Sequence, residues 1–239
     1  MSKRIVSFSG GKDSTAMLLM LLEKGYPVDE VRFFDTGWEF PQVMEHISKV
    51  EKYTGVTVTK VHPREPFDYW LLERPVICLR GEDKGTLVRT GAGWPSFARR
   101  WCTREKVNAL YRNISHDTEW YVGIAADEAH RAEKVSIGKR FGSRSFPLIE
   151  WGVTEAQALE YCYSKGFDFG GLYNFFPRVS CYCCPLQRIG ALRTLRKNFP
   201  DLWQIMLEKD KKITPNIGFW CNYTVHALEE RFSQEDAVK

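Results

Sequence analysis

The chain has no apolar run long enough to cross a bilayer, and its first twenty residues reach a glycine turn before a cleavable leader develops. The expectation is therefore a soluble, cytoplasmic protein with no membrane attachment. Internal repeats and low-complexity tracts are also absent, which excludes solenoids and arrays. Charge is nearly balanced: 34 Lys and Arg against 30 Asp and Glu leave a net +4. That excess is compatible with a nucleotide or a nucleic acid and identifies neither. An even set of cysteines is missing too. Seven cysteines without a secretory start argue against a disulfide framework and for buried thiols, metal ligands or catalysis.

What is present fills 239 residues, enough for one substantial α/β domain with a smaller appendage. Residues 4 to 8, RIVSF, read as a buried strand, and 13 to 24 as a helix with a wide apolar face, closed by Gly25. "DEVRFFDTG" gives a second strand ending at Asp35. "PQVMEHISKVEKYTG" is a helix from Pro41 to Gly55, and "VTVTKVH" a third strand. Alternating strands and helices predict a parallel sheet with crossover helices. From Pro63 to Trp101 the periodicity is lost and a long loop or mobile excursion is expected. "REKVNALYRNI" reads as a helix, "EWYVGIA" as a fourth strand, and "DEAHRAEKVSIGKRFGSRS" as a basic loop. Thr154 and Gln157 stand at capping-box spacing before a helix that ends at Gly166. Beyond lie a cysteine cluster and two or three helices, including "RIGALRTLRKN" and "TVHALEERF".

The turn Ser9-Gly10-Gly11-Lys12-Asp13-Ser14 sits between the first strand and the first helix. Glycines let backbone N–H groups approach an oxyanion, and the helix N-terminus adds partial positive charge. Asp13 after Lys12 excludes the Walker pattern, and the dinucleotide G-x-G-x-x-G is absent as well.

"SFSGGKDST" resembles the PP-loop of the N-type ATP pyrophosphatases. "FFDTGWEFP" resembles the branch that contains the phosphoadenosine phosphosulfate (PAPS) reductases. "RRWCTREKV", "YVGIAADEAHR", "FPLIEWGVTEAQALEYC" and "RVSCYCCP" continue the likeness in order, over residues 3 to 186. The resemblance implies a doubly wound parallel α/β sheet of the adenine-nucleotide α-hydrolase type. A nucleotide-binding domain over 1–178 and a helical, cysteine-bearing part over 179–239, packed on it, are expected. It also implies an adenine nucleotide along the C-terminal strand edges, ATP with Mg2+, or PAPS or its unphosphorylated relative APS. Carried over, Ser7, Ser9, Gly10, Gly11, Lys12, Asp13 and Ser14 would meet the phosphate or sulfate end. Asp35, Thr36 and Gly123 would lie by the adenosine, and Arg131 by a phosphate. Lys12 and Asp13 are the expected catalytic pair.

The family's iron-sulfur reductases carry a Cys-Cys pair and a distant C-x-x-C. This chain has Trp101 in place of the first cysteine, then Cys102, and later Cys181 and Cys184 with Cys183 between them. Soft, anionic thiolates suit an iron-sulfur cluster or zinc. Cys102, Cys181 and Cys184 are thus candidate metal ligands, with an iron-sulfur cluster expected and zinc as the alternative. Cys183 is the candidate reactive thiol or, like Cys221, a fourth ligand; Cys78 and Cys162 read as packing thiols. The E-C-G-[IL]-H motif of the thioredoxin-dependent reductases is absent, and Ala125 occupies a position where those reductases carry arginine.

Asp127 and Glu128 are candidates for magnesium or a solvated loop. The basic loop 131 to 144 closes over nucleotide or tracks a nucleic acid. Trp94, Phe97, Trp101 and Phe141 stand near basic residues, as stacking platforms do. His46, His62, His116 and His130 lack ligand spacing and read as structural. The leading expectation is a pyrophosphate-releasing enzyme that adenylylates an acceptor for cluster-assisted sulfur insertion into tRNA or DNA, fed by a sulfur donor protein. A sulfonucleotide reductase and a non-catalytic nucleotide- or nucleic-acid-binding module are the rivals.

Overall fold

The computed structural model describes residues 3–133, 141–213 and 218–237. Strand β1 (Arg4–Phe8) buries Ile5, Val6 and Phe8, and the adjacent buried pair Ile5 and Val6 marks a strand covered on both faces. Helix α1 (Lys12–Glu23) turns Ala16, Met17, Leu18, Leu19 and Leu21 inward. Burying one such leucine is worth about 1.5–3 kcal/mol, so this face anchors the helix to the sheet. Strand β2 (Glu30–Phe34), helix α2 (Pro41–Thr54) and strand β3 (Val58–Val61) follow as the alternation predicts, with Pro41 in the first turn of α2 and Gly55 ending it.

The stretch from Pro63 to Trp101 departs from the expected loop. It forms helix α3 (Phe67–Leu72) and an antiparallel hairpin of β4 (Pro75–Ile77) and β5 (Leu87–Thr90). Helix α4 (Trp101–Leu110) starts three residues earlier than the periodicity indicated, so Cys102 lies in its first turn. Strand β6 (Glu119–Val122), helix α5 (His130–Glu133) and strand β7 (Ser143–Ser145) come next. The basic loop was expected to be irregular throughout; its end instead pairs with β6 as a fifth strand. Residues 134–140, which hold Lys134, Lys139 and Arg140, lie outside the described residues. Helices α6 (Pro147–Glu150), α7 (Glu155–Ser164), α8 (Ile189–Asn198), α9 (Pro200–Lys211) and α10 (Val225–Ala237) complete the chain.

The sheet runs β3-β2-β1-β6-β7 with every pairing parallel. The chain winds from β1 to one side through β2 and β3, then returns to the other side through β6. The gap beyond the carboxyl ends of β1 and β6 is thus the topological switch point, where open α/β sheets bind ligands.

The residues fall into two compact units. The first comprises 1–35, 39–62 and 106–180 and contains the five-stranded sheet; the second comprises 36–38, 63–105 and 181–239. The second unit has an aromatic core of its own. Trp101 stacks on Trp70 at 5.9 Å between centroids and meets Trp38 and Phe67 edge-on. Trp94 packs against Trp38 and Phe219. Its indole donates to the buried Asp210 carboxylate at 2.8 Å, and His226 Nδ1 lies 3.0 Å from the same carboxylate. On the C-terminal helices Arg196 is forked onto Glu229 and reaches Asp236, while Arg193 and Arg231 share Glu235.

Candidate functional site

The turn after β1 is built to present donors. Gly10 has φ of +72°, and a Cβ there would come within 2.9 Å of Val43. Gly11 is the N-cap of α1 but offers no side-chain cap, so the first amides of the helix are left for other partners. The hydroxyls of Ser9 and Ser14 lie 3.0 Å apart, and the amide of Ser9 donates to Ser14 Oγ. Ser14 Oγ–H in turn reaches the Gly11 carbonyl. Ser7 sits in β1 in register between Arg32 of β2 and Val122 of β6.

Lys12 is the centre of the group. Its side chain is only 7% exposed, yet its ammonium donates to both Asp13 oxygens at 2.9 and 3.0 Å and to Glu155 at 2.9 Å. A buried cation must be paired, and here two carboxylates hold it. Glu128 completes the acidic set: Asp13, Glu128 and Glu155 offer carboxylate oxygens all within 4.8 Å of one another, a spacing that could hold a metal ion. Burial pushes the Asp13 carboxyl up, against the opposing pull of Lys12. Arg131 is tied to Glu128, and Arg178 approaches it at 3.5 Å.

The acidic pair of the sequence therefore divides. Glu128 joins the cluster, whereas Asp127 accepts from the Glu155 amide at 3.0 Å and so helps cap α7. Glu155 and Tyr173 are the residues that sequence reasoning missed. Glu155 was signalled only by the capping box before it, which is formed as expected. Tyr173 carried no signal. Its hydroxyl accepts the Lys12 amide at 2.7 Å and would lie 3.2 Å from a Cβ on Gly11. It thereby holds one of the donors an anion would use. Gly123, at the end of β6, abuts α1: a Cβ there would stand 2.9 Å from the Ser14 backbone, so close helix packing alone demands glycine. Asp35 follows β2, with His62 Nδ1 at 3.8 Å.

The cysteine candidates lie in the second unit. Thr36 Oγ1 is 3.7 Å from Cys181 Sγ, and the Cys184 amide donates to the Cys181 carbonyl, closing a tight turn. Cys102 and Arg100 both act electrostatically on Cys184, so the first turn of α4 lies near that turn. Burial pushes the thiols of Cys102 and Cys184 up and holds that of Cys183, only 1% exposed, well above the ordinary range. Cys183 thus has the surroundings of a packed thiol rather than of an activated one. Cys162, pushed up to about 12 by burial, donates to the Lys12 carbonyl.

Two of the proposed stacking platforms are corrected by burial. Trp94 and Trp101 are 0% and 6% exposed and belong to the aromatic core, because indoles this large contribute most when removed from water. Phe141 packs on Tyr111 at 4.9 Å. Phe97, by contrast, is 75% exposed.

A glycine turn between the central strand and first helix of a parallel sheet, at its switch point and carrying a lysine and carboxylates, defines a PP-loop-like α/β fold. The profile of the phosphoadenosine phosphosulfate reductase domain matches residues 3–187, and the chain belongs to that family. It is 28% identical over 219 residues to the uncharacterized protein MJ0066 of Methanocaldococcus jannaschii, covering 84% of this chain and 40% of that one. It is 24% identical over 174 residues to an adenosine 5'-phosphosulfate reductase of Geobacillus kaustophilus, 70% of this chain and 67% of the relative. A tRNA-5-methyluridine(54) 2-sulfurtransferase of Thermotoga maritima is 24% identical over 251 aligned positions, 98% of this chain and 73% of the relative. The chain thus spans about two fifths of the Methanocaldococcus protein. Among the described residues no helix is long and apolar enough to cross a membrane.

Proposed function

We propose that this protein is a PP-loop enzyme that adenylylates an acceptor and passes sulfur to the activated atom. The carrying observation is the Lys12 ammonium held by Asp13 and Glu155, with Glu128 beside them, at the N-terminus of α1. In the resting state the lysine neutralises carboxylates. When the ATP phosphates enter, the ammonium turns to them, and the freed carboxylates suit the Mg2+ that accompanies a triphosphate. The acceptor oxygen attacks the α-phosphorus, pyrophosphate leaves along the turn, and Lys12 with the amides of α1 takes up the developing charge. Attack of sulfur on the adenylylated carbon then expels AMP.

Cys102, Cys181 and Cys184 are the thiols that would hold an iron-sulfur cluster, with zinc as the alternative, because soft thiolate donors suit either. When bound, the cluster supplies a soft iron that takes sulfide. All seven cysteines are free, as such use requires. Nucleic acid as acceptor is supported by the sulfurtransferase relative, which acts on tRNA.

The test is pyrophosphate release from ATP, assayed anaerobically with tRNA and with DNA as acceptors. Lys12→Ala and Asp13→Asn are expected to lower it at least about 100-fold. The family itself and the Geobacillus relative favour a second reading, sulfonucleotide reduction. Sulfite release from APS or PAPS with thioredoxin, and no pyrophosphate from ATP, would replace the first reading by the second.

A further inference from the structure

The second unit carries cations that the rest of the molecule does not explain. Residues 82 to 105 hold Lys84, Arg89, Arg99, Arg100 and Arg104 beside Glu82, Asp83 and Glu105, and of these cations Arg104 meets Glu105 at 3.7 Å. The arginines of the C-terminal helices treated above are neutralised by Glu229, Glu235 and Asp236. Lys84, Arg89, Arg99 and Arg100, in contrast, make no ion pair within 4.0 Å among the described residues. Arg89 and Arg99 are near enough that each feels the other's charge. Like charges held together without a counter-charge are costly, and an arriving polyanion removes that cost.

The same stretch presents an aromatic surface. Phe97 is 75% exposed, and the Arg100 guanidinium stands 5.2 Å from its ring centroid. On the adjoining strand β5, Leu87 and Val88 are 60% and 59% exposed. A solvated ring with a guanidinium beside it is an arrangement on which an unpaired base stacks while its phosphates meet arginines.

We propose that β5 and the segment leading into α4 form a nucleic-acid-binding face, with Arg89, Arg99 and Arg100 on phosphates and Phe97 under an unpaired base. The occupant is single-stranded or looped nucleic acid, because a ring can stack only on a base already out of its helix. Arg100 lies two residues before Cys102, so the face leads to the cysteine turn. The inference rests on the sulfur-insertion reading for its purpose, though not for its measurement.

The test is a binding titration of the full chain against total tRNA, a mixed 24-nucleotide single-stranded DNA and a blunt 24-base-pair duplex, without ATP, from 50 to 200 mM salt. Wild type is expected to bind tRNA or the single strand more tightly than the duplex, and affinity falls as salt rises. Arg99→Ala with Arg100→Ala should weaken binding at least tenfold and lower the salt slope by about 1.4. Phe97→Ala should weaken it about 5- to 150-fold with the slope unchanged. Arg193→Ala with Arg231→Ala, changing the same charge at paired sites, should leave binding as it was. All these positions are at least partly exposed, and a thermal melt confirms each fold; Arg99→Gln serves as the milder variant.

Equal loss from both double variants would reduce the effect to net charge and overturn the proposal. So would absence of binding to any of the three probes. A dimer in light scattering that Val88→Glu splits, with nucleic-acid affinity untouched by Arg99 and Arg100, would assign the face to a second copy instead. Pyrophosphate release is scored separately on Lys12→Ala. Absence of release from wild type with binding intact falls on the function, and absence of nucleic-acid binding with release intact falls on this face.

Discussion

Tyr173 shows how one side chain can set the readiness of the turn. Its hydroxyl occupies the Lys12 amide, and its ring packs on Phe169 at 4.8 Å, so the contact is held from both ends. Tyr173→Phe keeps the ring and frees the donor. Calorimetry should show pyrophosphate bound severalfold more tightly; weaker binding would mean that the hydroxyl serves the anion instead. His46, only 2% exposed, places Nε2 2.9 Å from Thr15 Oγ1, while Nδ1 has no hydrogen-bond partner among the described residues. Burial lowers its pKa to about 4 from an ordinary 6.5. The unfolded chain then binds more protons between those values, so stability is complete above about pH 6.5 and falls as pH drops towards 4. The loss is up to about 3 kcal/mol, and urea midpoints between pH 7 and 4.5 should decline more steeply for wild type than for His46→Gln. The structural reading of His46 was legible in the sequence as an absence of ligand spacing. The roles of Tyr173 and Glu155 were not, since each depends on a partner about 145 to 160 residues away.

At the scale of elements, legibility followed local chemistry. Helix α7 was readable at its start because Thr154 and Gln157 form a reciprocal capping box, and that box orients Glu155 at the same terminus. Thr154→Ala should cost about 1 kcal/mol, read as a lower denaturant midpoint, and should weaken the Lys12 to Glu155 pairing. Helix α2 was readable from Pro41 and Gly55. Strand β7, three residues of Ser-Arg-Ser, has no apolar alternation to betray it and exists because β6 offers an edge. Helix α3 and the hairpin are also short, and they are held by Trp70 stacking on Trp101 and by the backbone bonds of Gly91, Ala92 and Gly93 to Arg74, Trp70 and Leu71 rather than by periodicity. The early start of α4 has the same origin, for Trp101 is fixed by its stack and by an indole bond to the Gly93 carbonyl.

For the whole molecule, Trp101 is a packing residue: it stands where the resemblance implies a cysteine, and its indole fills the centre of the second unit's core. Trp101→Ala should cost about 3–5 kcal/mol and loosen the cysteine turn with it. Calorimetry would read the loss as a lower or split transition, and Trp101→Phe should recover most of it. Sequence order exposed the sheet because each parallel strand brings its own helix. It hid the second unit, whose core is assembled from three separate stretches of chain.

That assembly also dictates an order of biosynthesis. On the ribosome Trp38, Trp94 and Trp101 emerge long before Phe219 and Asp210, the partners that cover and satisfy Trp94. The growing chain carries Trp94 without that cover until the later stretch appears, and Cys102 likewise stands about 80 residues ahead of Cys181 and Cys184. Ribosome stalling before Asp210 and Phe219 thus releases a chain with Trp94 uncovered, and chaperones must meet it late.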